Sequence, residues 1–157
     1  SLEMYKQAVL DALSSQAITP LVAAQGNLAL GLITVVEGDR KRAEELYATL
    51  EPLQGTVQGH ISFSADRLLG LLAKTVGNTV EAANHFQAAL VFCREAGYRP
   101  ELARTLYDYA DMLLGQDDEG ARTEATTLLD EALQASRDLG MRPLLERVLS
   151  RREILKA

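Results

Sequence analysis

A pattern of small and large apolar residues recurs in this chain at a fixed interval. Leu30-Gly31, Gly38-Asp39, Ala43, Tyr47 and Leu50 reappear without a gap as Leu69-Gly70, Gly77-Asn78, Ala82, Phe86 and Ala89, 39 positions later. A third copy reads Tyr109-Ala110, Asp117-Asp118, Ala125, Leu129 and Ala132, with three residues added near Glu119-Gly120-Ala121. Self-similarity at a period of this size, with two helix-length segments per period, restricts the chain to stacked helical pairs. Within a pair, close crossing demands small residues, so Gly31 with Ala43, Gly70 with Ala82 and Ala110 with Ala125 are the expected crossing points.

Turn chemistry separates the segments. Gly97-Tyr98-Arg99-Pro100 and Gly140-Met141-Arg142-Pro143 are one device used twice: a Gly that ends a helix with positive φ, an apolar cover, and a Pro that opens the next helix. Thr19-Pro20 opens another helix, and apolar residues recur three and four apart between these marks. The reading is all-α: about eight antiparallel helices in a right-handed α-solenoid, at about 2–15, 20–37, 39–53, 59–76, 78–96, 100–116, 119–138 and 142–155, with no strands expected. It forms one domain over 1–157, with a partial repeat at 1–15, units at about 20–55, 59–97 and 100–139, and a capping helix at 142–157.

Composition narrows the function classes. A net charge of −6 argues against a nucleic-acid binder, which needs clustered Lys and Arg. Cys93 is the sole cysteine, which excludes an internal disulfide, and no uninterrupted apolar run of membrane-spanning length is evident. A cytoplasmic protein is expected. His60 and His85 lack a third ligand nearby, and no GxSxG or HExxH run occurs, so neither an enzyme nor a metal or other cofactor is expected. Cys93 reads as a small core residue and His85 as a surface or inter-helix polar group. Asp117-Asp118-Glu119 reads as the acidic start of a helix.

The Leu-Gly, Gly-Asp/Asn, Ala, aromatic series at Leu30–Leu50 and Leu69–Ala89 resembles tetratricopeptide repeats, lengthened by about one helical turn. The runs from Ala96 to Leu114 and from Leu128 to Ala157 resemble the extended repeats of large bacterial ATPase or adenylate-cyclase signalling proteins and LuxR-type transcriptional regulators. That resemblance implies a non-enzymatic scaffold for a protein or peptide partner or for other domains of a parent regulator. A small-molecule sensor is the alternative. It also implies that first helices line a concave face, at Gln25, Leu28, Leu32 and Val35, then Ser64, Arg67, Leu71 and Lys74, then Arg104, Tyr107, Asp108 and Asp111. Arg67, Lys74 and Arg104 are candidates to grip a carboxylate, unless the arginines pair with Asp66, Asp108 or Asp111 in the scaffold.

Two further expectations concern the ends. The last helix should turn Leu144, Leu145, Val148, Leu149 and Leu155 inward, leaving Glu146, Arg147, Arg151, Arg152 and Lys156 outside as a polar cap. Helix 20–37 is apolar nearly all round, which points to a homodimer through residues 1–37 or to docking of further repeats there.

Overall fold

The structure is a computed structural model that describes residues 1–58 and 63–157. Its described residues form eight α-helices: α1 Leu2–Leu13, α2 Pro20–Glu37, α3 Arg40–Leu50, α4 Ala65–Val76, α5 Thr79–Ala96, α6 Arg99–Leu114, α7 Glu119–Asp138 and α8 Arg142–Lys156. The other elements among the described residues are a 3-10 turn, Glu51–Leu53, and one short ladder, in which β1 (Val57–Gln58) pairs antiparallel with β2 (Phe63–Ser64).

That ladder corrects one expectation. A helix was expected from 59, yet α4 begins at Ala65, and His60 lies outside the described residues. Ser64 sets the start: its hydroxyl accepts from the Arg67 amide at 3.4 Å, while the buried Asp66 carboxylate accepts from the Gly55 amide at 2.7 Å. A capping serine and an acid in the first turn are stronger start signals than the β-prone segment before them.

The other boundaries follow their caps. Thr19, Asp39, Asn78 and Asp118 each accept from the amide three residues on. At four helix ends the amide after a glycine reaches back five residues: Asp39 to Thr34, Asn78 to Ala73, Tyr98 to Cys93 and Met141 to Ser136. The corners at Gly97 (φ 71°) and Gly140 (φ 65°) are built alike, with Arg99 and Arg142 each donating to the glycine carbonyl at 2.9 Å. A β-carbon at either glycine would be strained, so the repeated sequence device is a repeated backbone device.

Close packing divides the chain into two compact units, 1–82 and 83–157, so the expected repeat at 59–97 straddles a boundary inside α5. In the first unit α2 lies on both α3 and α4, and α1 lies on α2. Leu30, Leu46, Leu50, Leu68, Leu69 and Leu72 form its core, with Val9, Leu10 and Leu13 of α1 half-buried against it. Gly31 is buried, but the atoms nearest a β-carbon there belong to Leu68, at 3.0 Å to Cδ2, rather than to Ala43. The glycine therefore admits the next first helix, α4.

Thr34 is fully buried, and its hydroxyl has no hydrogen-bond partner among the described residues. Removing an unsatisfied buried hydroxyl while keeping the shape recovers its desolvation penalty, about 1 kcal/mol. Thr34→Val is expected to raise the melting temperature by about 2–4 °C. A lower melting temperature in calorimetry would show that the hydroxyl is satisfied after all.

In the second unit α6 lies on α7 and α8. Phe86 is fully buried and stacks on Tyr109, centroids 5.6 Å apart, with the Gln87 amide donating to the Tyr109 hydroxyl at 3.1 Å. Burial first, and then a hydrogen bond to Glu124, push that phenol's pKa up. Cys93 is buried, as is His85, so the surface reading of His85 is corrected: the stripe bearing Phe86, Ala89 and Cys93 is wide enough to take it in.

The cap is partly as expected. Leu144 and Val148 are buried, but Leu149 is 39% exposed and so does not turn inward. Aligning Pro143 with Pro100 explains why. Ala103, Leu106, Ala110 and Leu113 form a stripe that α6 buries, and the equivalent α8 residues are Glu146, Leu149, Glu153 and Lys156, all exposed. Leu149 sits on a stripe that α8 leaves to solvent.

Candidate interaction surfaces

The expected concave positions of the first unit differ in what occupies them. Ser64 is consumed as the α4 cap, and Leu71 is buried. The Arg67 guanidinium lies 4.8 Å from the Phe63 ring centroid and is 9% exposed, which makes it a scaffold group rather than a grip. Lys74 is half-buried in the last turn of α4. Gln25 and Leu32 are exposed on α2, while Leu28 and Val35 are partly covered by the core of the first unit.

The α6 set lies beside a groove. Tyr107 lines an open groove of about 520 Å³ together with Pro143, Glu146, Arg147, Ser150 and Arg151 of α8. Arg147 places its guanidinium 4.5 Å from the Tyr107 ring centroid. Arg151 is bound to Asp111, and a hydrogen bond with Tyr107 is the largest cause raising its pKa, with Asp111 adding to it. Arg104 remains exposed, 3.8 Å from Glu101, and Asp108 is half-buried. Asp111 is held by Arg151.

Sequence reasoning missed Arg147, Ser150 and Arg151 as groove residues. A signal for them existed. Carrying the register of Arg104, Tyr107 and Asp108 forward from Pro100 to Pro143 lands on Arg147, Ser150 and Arg151.

A second surface lies between α1 and α2. Counting back eleven, ten and seven residues from the Pro that opens the following helix gives Val9, Leu10 and Leu13; Ala89, Leu90 and Cys93; and Ala132, Leu133 and Ser136. The last two triplets are buried, and the first is half-covered. By this spacing α1 matches the second helix of an expected pair. Its angle with α2 forms a cleft of about 260 Å³, walled by Tyr5, Ala8, Ala12, Val22, Gly26 and Ala29 among others. The equivalent angles between α3 and α4, and between α7 and α8, are filled by α2 and α6.

Comparison with family models, curated proteins and solved structures returns no match. The likeness to tetratricopeptide repeats therefore rests on the residues themselves. Among the described residues no group of three or more His, Cys, Asp or Glu is placed to hold a metal. Among the described residues one helix, α2, is long and apolar enough to cross a membrane by length and composition, with 22% of it buried. Its apolar residues are not an uninterrupted run: Gln25, Asn27 and Thr34 break them without adding charge.

Proposed function

We propose that this chain is a tetratricopeptide-like solenoid module that binds an acidic peptide segment of a protein partner in the α6–α8 groove. As part of a larger signalling or transcriptional regulator, such a module would report the partner's presence to neighbouring domains. The observation that carries the reading is Arg147: its guanidinium is held over Tyr107, and it has no ion pair or hydrogen bond among the described residues. A pre-oriented guanidinium with its donors unspent offers a carboxylate two parallel hydrogen bonds. The charges of Arg147 and Arg151 are offset by Glu146 and Asp111, so a singly charged carboxylate suits the groove better than a dianion.

A fluorescein-labelled Glu- and Leu-containing peptide, titrated by fluorescence anisotropy, tests this. Arg147→Ala should weaken binding by roughly tenfold, equivalent to about 1.4 kcal/mol. Arg147→Lys should restore little, because an ammonium lacks the planar fork. Lys156→Ala, at an exposed residue already near Glu153, should leave affinity unchanged. Equal affinity for wild type and Arg147→Ala would remove the proposal.

A further inference from the structure

Residues Pro20 to Val36 of α2 carry no charge in a chain whose net charge is −6. Outward on this helix stand Leu21, Val22, Leu32 and Val36, between 38% and 75% exposed. Glu37, the first charge, is already held by Lys6 at 2.8 Å. Nothing on this face repels a like face, and no lone charge would be desolvated by covering it. The surface flanks the cleft between α1 and α2, and the equivalent angles between α3 and α4 and between α7 and α8 each hold a helix.

The stripe is also symmetric. About a midpoint between Leu28 and Ala29, Leu21 stands as far out as Val36, and Gln25 as far as Leu32. An antiparallel copy of the same helix therefore sets Leu21 against Val36 and Gln25 against Leu32 at both ends of one contact.

We infer that α2 is the seat of a two-fold dimer, in which α2 of a second copy of this chain lies antiparallel along it, over the α1–α2 cleft, completing a four-helix bundle. The 18 residues of α2 make a face about 27 Å long, and two helices span about 20 Å. Closure then buries on the order of 1,000 Å² in all, the lower limit for a specific interface. The dimer is accordingly dependent on concentration.

Sedimentation velocity on the full chain over a wide concentration range reads the association, with circular dichroism to verify folding. The dimer fraction should rise with concentration, Leu32→Glu should abolish it, and Val91→Glu on α5 should leave it intact. Gln25→Leu should tighten it at least tenfold, because Gln25 is the one polar residue opposite Leu32. Leu21→Glu and Val36→Lys should each give monomers, and the double variant should dimerise again through two Glu–Lys pairs. A monomer at every concentration, or a dimer that survives Leu32→Glu, overturns the inference. Failure of the double variant to recover overturns the antiparallel register. Co-sedimentation of a strictly monomeric chain with phosphatidylcholine vesicles, lost in Leu32→Glu, would assign the face to a membrane instead.

Discussion

Phe86→Ala is expected to be the most damaging single substitution in the second unit, lowering stability by about 3–5 kcal/mol. Phe86 is fully buried and supplies the ring against which Tyr109 stacks, so truncation removes its own burial and one face of a neighbour. The flanking Ala82 and Ala89 on α5 are themselves fully buried and too small to close the void. For a chain of this length that loss corresponds to a fall in melting temperature of about 6–20 °C. Thermal unfolding measures the loss, and hydrogen exchange locates it, with protection falling across residues 83–157. A shift under about 2 °C would show that the site closes around alanine and leaves no void.

The second large effect is Gly31→Leu. A β-carbon alone would stand 3.0 Å from Leu68 Cδ2, tighter than real contacts usually are, and Leu68 is fully buried with nowhere to withdraw. Overpacking of this kind costs about 1–3 kcal/mol and occasionally more. Gly31→Ala separates the causes: alanine recovers up to about 1 kcal/mol of helix propensity, which offsets a small displacement of Leu68. The alanine variant should therefore melt near wild type and the leucine variant several degrees lower, with protection lost across residues 1–82. If both variants melt like wild type, α2 and α4 do not approach at Gly31.

Both predictions use positions that the sequence makes visible, because a repeat exposes its small residues by recurrence. Gly31 and Phe86 recur as Gly70 and as Tyr47 or Leu129, and paired glycine–proline corners mark the helix ends almost to the residue. What escaped was whatever depended on contacts across helices. Leu68, rather than Ala43, fixes the need for glycine at position 31, and no spacing rule within one helix names a residue on another. For His85 the sequence leaves a surface and an inter-helix place open, because histidine is usually half-wet, and its burial beside Phe86 removes the first. Phe63 falls inside the expected helix and Val57 in the loop before it, because a two-residue ladder has no periodicity to read. The α6–α8 groove was half legible: Tyr107 was picked out from its register, whereas Arg147 and Arg151 were set aside as cap charges although the same register points to them.

The exposed stripe of α8 has a consequence for how many copies can assemble. α6 buries Ala103 and Ala110, but α8 presents Glu146 and Glu153 at the matching places, where an incoming helix would have to strip the Glu146 carboxylate and the exposed Glu153–Lys156 pair of water. An uncharged face that pairs with its own copy is used up once two chains have met. In the dimer inferred through α2 that face would be spent, and with charged groups along the exposed stripe of α8 association would halt at a pair rather than run on into an open fibre.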